Sequence, residues 1–198
     1  MAEDDIIIRE AEAADVPHLV TFLIKLDAHV AGVEPELLSL TSVGKQQLTR
    51  RIESFIDEPG KLLLVAQTAE GELIGMGNIH IWHFADIWVN PERKGLRSGY
   101  IDDIWVEPAY RSAGIARRLL KDLLDYAAEQ EINELTLEYA LHNPEADAFW
   151  EKLGFKPTGV RASGWLSEVR ENLAATAKKK PKSGTKTRSK PARSKKGS

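Results

Sequence analysis

A strand pattern that stops at a proline and leads through a loop of small residues into an amphipathic helix limits the folds open to this chain. Apart from Asp102 and Asp103, residues 100–106 are apolar or β-favouring, and the stretch ends before Pro108. From Gly114 to Gln130 the apolar residues recur every three or four positions, which places them on one face of a helix. A half-buried strand and a one-faced helix must each cover their apolar side, so this unit predicts a sheet packed against helices.

The rest of the chain adds strands before this unit and alternates strand and helix after it. The predicted strands are residues 6–8, 61–68, 72–82, 100–106 and 135–139, followed by an extended stretch from 155 to about 169 that is compatible with a final hairpin. The predicted helices start at Asp15 with Pro17 in the first turn, after Ser42, at Gly114 and at Pro144. Residues 84–98 read as a long irregular link. This order predicts an α/β (α+β) domain built on one sheet.

The net charge of −3 conceals two segments of opposite sign. Residues 178–198 hold ten of the 27 Lys and Arg residues and none of the 30 Asp and Glu residues, so residues 1–177 carry a charge near −13. Beyond Lys178 only Ala192 is apolar, and such a segment buries too little surface to offset the entropy of ordering it. We therefore expect a folded domain over residues 1–172 and a disordered basic tail over residues 173–198.

The composition excludes several kinds of site and indicates where the protein acts. The chain has no cysteine, which excludes disulfides, thiolate metal sites and a cysteine nucleophile. It has no run of 18 apolar residues that would span a bilayer, and its acidic start lacks the basic and apolar regions of a signal peptide. His80 and His83 have no close thiol or carboxylate to complete a metal site. We expect a cytoplasmic protein with no membrane partner and no bound metal.

Residues 111–116 have the composition of an anion-binding helix start. The free N–H groups and the dipole of a helix N-terminus attract an anion such as a phosphate. Gly114 and the small residues around it allow a diphosphate to approach the backbone, and Arg111 adds a positive charge. The alternative is an ordinary helix that begins after a loop, and these features alone leave both interpretations open.

The spacing of these residues resembles a known family pattern. Arg111-x-x-Gly114-x-Ala116 resembles the acetyl-coenzyme-A loop of the GNAT superfamily of N-acetyltransferases, which reads Arg/Gln-x-x-Gly-x-Gly/Ala. Residues 143–155 are similar to the second signature of that superfamily, Asn-x-x-Ala-x-x-Phe/Leu-Tyr-x-x-x-Gly-Phe. The resemblance covers about residues 6–170. It implies a GNAT-like mixed, mostly antiparallel sheet flanked by about four helices, with acetyl-CoA as co-substrate.

The same resemblance assigns the cofactor contacts. In the family, backbone groups of the loop hold the pyrophosphate, the preceding strand binds the pantetheine arm like an added β-strand, and the asparagine of the second signature often reaches the cofactor. The matching residues are Ile104, Trp105 and Val106 in the strand, Arg111, Ser112, Ala113, Gly114, Ile115 and Ala116 in the loop, and Asn143. Read from the residues alone, Asn143 is equally a helix N-cap before Pro144.

The candidates for acid–base chemistry lie on two strands. Asp102 and Asp103 belong to the predicted strand and should lie on its opposite faces, where partial burial raises a carboxyl pKa toward that of a general base. We favour Asp103; the alternative is that one aspartate is solvated while the other pairs with a cation. Family members often carry a tyrosine that protonates the leaving thiolate, but the matching residue here is Trp150. Tyr139 is a substitute acid, unless it is simply a packed residue of the sheet.

The resemblance, taken together with these residues, implies an acetyl-CoA-dependent N-acetyltransferase that acts by direct attack of a primary amine in a ternary complex. The acidic charge of residues 1–177 favours a cationic acceptor, either a small molecule of polyamine-like or aminoglycoside-like type or a protein amine. The alternative is a non-catalytic acetyl-CoA-binding protein whose basic tail anchors it to nucleic acid or a partner. The tail predicts weak polyanion binding. A homodimer is left open.

Overall fold

Five strands form one sheet in the computed structural model, which describes residues 6–35, 40–83, 97–140, 143–159, 162 and 164–178. The strands are β1 Ile6–Glu10, β2 Lys61–Thr68, β3 Leu73–His83, β4 Arg97–Val106 and β5 Glu134–Leu137. They lie side by side in chain order. Neighbours from β1 to β4 pair antiparallel, whereas β5 pairs parallel to β4. This confirms the mixed, mostly antiparallel sheet predicted from the sequence.

Five α-helices occur within the described residues, one more than expected. They are α1 Val16–Ala31, α2 Ser42–Asp57, α3 Ile115–Glu129, α4 Pro144–Lys152 and α5 Leu166–Lys178. None of these helices is long and apolar enough to cross a bilayer. Within the part of the predicted link that the structure describes, residues 97 and 98 begin β4, and residues 84–96 lie outside the described residues.

The helices cover the two faces of the sheet differently. On one face, here called the α1–α2 face, Phe22 and Ile52 pack against Met76 and Trp105 in the main hydrophobic core. On the opposite face α3 comes so close that a Cβ at Gly77 would lie 3.4 Å from Cδ1 of Leu123. Burying apolar area on both faces stabilises the sheet and fixes where β4 ends relative to α3.

The start of α1 lies at Asp15, as predicted, but the carboxylate of Asp15 bonds to residues before the helix. Asp15 is the N-cap residue, but its side chain makes no capping hydrogen bond to α1. Instead it accepts hydrogen bonds from Arg9 on β1, at 2.7 and 3.0 Å, and from the backbone N–H of Glu12 at 2.8 Å. Asp15 therefore ties the end of β1 to the start of α1.

The chain divides into two units, Met1–Leu153 and Gly154–Ser198. In the second unit the described residues before Leu166 form neither helix nor strand, and α5 then begins. The predicted extended stretch is therefore wrong from Leu166 to Val169, because Leu166, Val169 and Leu173 recur at helical spacing and good helix formers follow. The helix continues past the predicted boundary at residue 172. Most of the basic tail, residues 179–198, lies outside the described residues.

Candidate functional site

Two consecutive aspartates of β4 point to the same face of the sheet because the strand carries a bulge. Between the paired positions that flank it, β3 supplies one residue, Asn78, and β4 supplies two, Asp102 and Asp103. Such a two-against-one arrangement is a β-bulge, and it interrupts the alternation of side chains along a strand. The expectation that these aspartates lie on opposite faces is therefore wrong, and both lie on the α1–α2 face.

One guanidinium holds both carboxylates. Nη2 of Arg51, on α2, donates to Oδ2 of Asp102 and to Oδ2 of Asp103, each at 2.7 Å. The Arg51 side chain is 41% exposed, whereas those of Asp102 and Asp103 are 23% and 12% exposed. The ion pair thus lies at the border between solvent and the sheet, where a solute can reach it.

The surroundings of the Asp103 carboxyl group shift its pKa. Burial raises its pKa to about 6, and the negative charge of Asp102 acts in the same direction. Arg51 and the hydrogen bond from Asn78 oppose this rise. A carboxyl group with this pKa is ionised at neutral pH and still accepts a proton readily, which is the behaviour required of a general base.

The charges around this pair favour a positive ligand. Asp27 on α1 is close enough to act electrostatically on both Asp103 and Arg51. Three carboxylates therefore face one guanidinium on this part of the α1–α2 face. A cation that approaches Asp103 is attracted, in agreement with the acidic charge of the sequence before the tail.

After Ile101, one edge of β4 has no neighbouring strand among the described residues. The parallel pairing with β5 ends at Ile101, which lies opposite Leu137. Of the residues that the structure describes, none pairs with Ile104, Trp105 or Val106 on the β5 side. An extended ligand arm can occupy this edge as an added strand would.

The loop after β4 turns the chain sharply into α3. Ser112 and Gly114 both adopt left-handed backbone conformations, with φ of 68° and 76°. A non-glycine residue in this region is uncommon and marks a constrained site. Gly114 is the N-cap of α3, so the free N–H groups at the helix start, from Ile115 and Ala116, lie next to this turn. N–H groups at such a helix start are donors of the kind that bind a pyrophosphate, and the adjacent Ala113 is exposed.

Arg111 lies against the end of β4. Its Nε donates to the backbone oxygen of Val106 at 3.1 Å, and its guanidinium lies 4.9 Å from the centre of the Trp105 ring. The positive charge of Arg111 is thereby held between the open edge of β4 and the turn into α3. The phosphate-facing role of Arg111 stays a prediction.

The remaining predicted residues lie around α4. Oδ1 of Asn143 accepts a hydrogen bond from the N–H of Ala146 at 3.0 Å, so the N-cap interpretation of Asn143 holds in this structure. Tyr139 lies two residues beyond the end of β5. If the pairing of Ile101 with Leu137 were continued, Tyr139 would lie opposite Asp103. Its hydroxyl donates to Asp147 at 2.6 Å, and this bond raises the pKa of Tyr139. Trp150 is buried in α4.

Sequence reasoning missed two residues of the site. Asn78 is a fully buried amide in an otherwise apolar part of β3, and an isolated polar residue at such a position is a signal that it has a partner. Arg51 gave no such signal, because an arginine on a polar helix face ordinarily reaches solvent. Only the packing of α2 against β4 brings it to the aspartates.

The chain is similar in sequence to known acetyltransferases. The model of the acetyltransferase (GNAT) family matches residues 34–155. A thialysine N-epsilon-acetyltransferase from Bos taurus is 26% identical over 168 residues, covering 81% of this chain and 89% of that protein. An N-alpha-acetyltransferase, RimI from Mycobacterium tuberculosis, is 39% identical over 61 residues, covering 31% of this chain and 37% of that protein.

A solved structure shows the same fold. It is a predicted acetyltransferase from Clostridium acetobutylicum with acetyl-CoA, and it superimposes with a TM-score of 0.63 at 24% identity. The superposition covers 82% of this chain and 97% of that one. The shared fold therefore includes nearly the whole of the Clostridium acetobutylicum protein.

Proposed function

The chain belongs to the GNAT acetyltransferase family, whose members are acyltransferases that use acetyl-CoA, and we propose that Asp103 is its general base. In this proposal the acetyl group passes to a primary amine of a cationic small molecule or protein. The amine attacks directly, in a complex that holds both substrates. The observation that supports it most is the bulge in β4, which brings Asp102 and Asp103 together beneath Arg51.

The first task of the site is to remove a proton from the acceptor. A primary amine is protonated at neutral pH and cannot attack until it loses that proton. Asp103, ionised above about pH 6, takes the proton, and Asp102 holds the ammonium by charge attraction. The positive charge of Arg51 favours the ionised form of Asp103 in the free enzyme.

The residues that would hold acetyl-CoA fit its chemistry. The left-handed turn at Ser112 and Gly114 and the start of α3 offer N–H donors to the pyrophosphate. The open edge of β4 from Ile104 to Val106 offers backbone groups to the pantetheine arm. When bound there, acetyl-CoA supplies an acetyl thioester with a thiol leaving group. Asn143, already an N-cap, contributes through its amide nitrogen in this proposal.

Tyr139 is the candidate donor of a proton to the leaving group. Its hydroxyl already donates to Asp147, and the raised pKa makes it a weaker acid than an ordinary phenol. We therefore assign it a smaller share of the rate than Asp103. Trp150 takes no part in proton transfer, because an indole N–H is not acidic near neutral pH.

The basic tail supplies a second, separate property in this proposal. Its ten cations neutralise phosphates and release counterions, which gives weak, sequence-independent binding to polyanions. This binding keeps the enzyme near polyanions and takes no part in acetyl transfer. The lack of cysteine is consistent with a cytoplasmic location for this enzyme.

Turnover of an amine panel with acetyl-CoA tests the proposal. Released thiol is measured for the wild type, for Asp103→Asn and for Asp125→Asn, which removes an exposed carboxylate on α3. We expect Asp103→Asn to lower kcat by about 100-fold or more, the usual contribution of a general base, and Asp125→Asn to retain wild-type turnover. Acetyl-CoA affinity, measured by calorimetry, should be the same in all three. Full turnover by Asp103→Asn would contradict the assignment.

A further inference from the structure

The amide of Asn78 is fully buried among the apolar residues of β3. Met76, two residues earlier on the same face of the strand, is fully buried in the main hydrophobic core. An amide in such surroundings costs free energy unless its donor and its acceptor both have partners. A leucine of similar size would carry no such cost, so burial alone does not explain an amide at this position.

The partners of Asn78 determine which way its amide is turned. The backbone N–H of Asp103 can only donate, and it donates to Oδ1 of Asn78 at 3.4 Å. The other end of the amide, Nδ2, therefore faces the Asp103 side chain and donates to Oδ2 of that residue at 3.2 Å. The amide bonds to the backbone and to the carboxylate of one residue at the same time, which sets the direction of the carboxylate relative to β4.

The two oxygens of the Asp103 carboxylate have different surroundings. Oδ2 accepts a hydrogen bond from Nη2 of Arg51 at 2.7 Å as well as the one from Asn78. Among the residues that the structure describes, none donates a hydrogen bond to Oδ1 of Asp103. Because Oδ2 already has two donors, Oδ1 is the oxygen with lone pairs left to take a proton.

The amide of Asn78 also distinguishes Asp103 from Asp102. Within the described part of the chain, the Asp102 carboxylate accepts a hydrogen bond from Arg51 alone. The charged groups that act on the Asp103 carboxylate lie on three elements: Asp102 on β4, Arg51 on α2 and Asp27 on α1. The bond from Asn78 on β3 favours the ionised carboxylate and lowers the pKa of Asp103. Asn78 therefore acts on the more buried of the two aspartates, the one assigned as base.

We propose that Asn78 is a positioning residue for proton transfer: together with Arg51 it holds Oδ2 of Asp103, so that Oδ1 takes the proton of the acceptor. This inference rests on the proposed function, in which Asp103 is the base. In this step an N–H bond of the ammonium breaks and an O–H bond forms at Oδ1. The amine keeps the electron pair with which it attacks the acetyl carbonyl carbon. Asn78 transfers no proton and acts only through Asp103.

The pH profiles of two variants separate this role from a purely structural one. Asn78→Leu removes the donor to Oδ2, so the acid limb of kcat/KM for the amine should move up by about one pH unit. Asn78→Asp places a second carboxylate beside Oδ2, and the limb should move further in the same direction. Thr68→Val is the matched control. Thr68 is also buried, at the end of β2, and its hydroxyl also accepts from a backbone N–H, that of Glu72, at 3.3 Å.

The control should leave the acid limb in place. A limb that stays in place in Asn78→Leu and Asn78→Asp, or one that Thr68→Val moves equally, would overturn the inference. If these variants fail while Asp103→Asn still abolishes most of the turnover, the assigned base stands and only the role of Asn78 is lost. Full turnover by Asp103→Asn would instead remove the base, and the inference with it.

The side-chain NH2 resonances of Asn78 test the contact in the wild-type chain, where no variant at position 78 has to fold. In 15N–1H NMR spectra recorded without acetyl-CoA, they should titrate with a midpoint at the pKa of Asp103, about 6, and this titration should disappear in Asp103→Asn. His80 lies two residues along β3, and burial lowers its pKa. A titration that persists in Asp103→Asn would therefore belong to another group such as His80, and resonances that do not move with pH would show no coupling. Either result would overturn the inference.

Discussion

Asn78 and Asp103 are joined by two hydrogen bonds across the β3–β4 pair. Nδ2 of Asn78 donates to Oδ2 of Asp103 at 3.2 Å, and the backbone N–H of Asp103 donates to Oδ1 of Asn78 at 3.4 Å. Asn78 is fully buried, so its amide has no water to replace these partners. The pair holds the bulge in β4 open and keeps the Asp103 carboxylate directed toward Arg51.

Removing Arg51 should move the acid limb of the pH–rate profile upward. The positive charge of Arg51 lowers the pKa of Asp103, so in Arg51→Gln that pKa should rise above about 6. The dependence of kcat/KM on pH reports the free enzyme, and its acid limb should shift to higher pH by a measurable fraction of a unit or more. Arg50→Gln, which changes the exposed neighbour on α2, should leave the limb in place. An unmoved limb in Arg51→Gln would show that Asp103 does not govern it.

A charged side chain at the start of α3 should weaken cofactor binding. Gly114→Glu introduces bulk and a negative charge where the pyrophosphate is proposed to lie, so the Kd for acetyl-CoA should rise at least about tenfold. Gly32→Glu is the matched control, because Gly32 is also left-handed, with φ of 66°, and has open space around it. The control therefore carries the same kind of backbone strain. If calorimetry gives both variants the wild-type affinity, the phosphate-loop assignment is wrong.

The contact between β1 and the start of α1 should contribute stability that depends on pH. The hydrogen bonds from Arg9 hold the pKa of Asp15 below its ordinary value near 4. This contribution is therefore present above about pH 4 and is lost as the pH falls through the lowered pKa. At pH 7, Asp15→Asn should lower the free energy of unfolding by about 1–3 kcal/mol.

Urea unfolding at pH 7 and at pH 3 measures this difference. The penalty of Asp15→Asn should shrink at the lower pH, whereas Asp125→Asn, in an exposed ion pair with Lys121, should change stability little at either pH. A penalty for Asp15→Asn that is absent at pH 7, or larger at pH 3, would contradict the role of the ion pair.

The basic tail should confer polyanion affinity without affecting catalysis. Full-length protein is compared with a chain that ends at Ala177, which lacks all ten of the tail's cations. In titrations with duplex DNA and with RNA, full-length protein should bind at low salt and weaken steeply as salt rises, and the shorter chain should not bind. Equally poor binding by both proteins at low salt would remove the nucleic-acid role.

Much of the fold could be predicted because its elements have clear periodicity. The apolar face of α3 follows from the side-chain geometry of a helix, and the apolar stretches of β2 and β3 on either side of a turn are typical of paired strands; both agree with the structure. The apolar residues of α5 also recur at helical spacing. They are few, however, and Gly159 and Gly164 come just before them, so the sequence is equally consistent with an extended stretch. Tyr139 reads as part of β5 because the alternation of Leu135 and Leu137 continues through it, yet the pairing with β4 ends first.

The arrangement of the site could be predicted only in part. The loop residues from Arg111 to Ala116 follow from spacing, since a helix start and its turn are local structures. The arrangement at the bulge is not local. It involves Asn78 from β3 and Arg51 from α2, which lie 24 and 51 residues before Asp102 in the chain. A strand read without its partners alternates regularly, and so the sequence placed Asp102 and Asp103 on opposite faces.

The pH dependence of kcat/KM in wild type and Asp103→Asn tests the proposed base most directly. With acetyl-CoA saturating and the concentration of an accepted amine varied, wild-type kcat/KM for the amine should fall below about pH 6, the pKa of Asp103. In Asp103→Asn the value should be lower at neutral pH, and this fall should disappear. A wild-type profile with no limb near pH 6, or an Asp103→Asn variant that keeps both the limb and the rate, would contradict the assignment of Asp103 as general base.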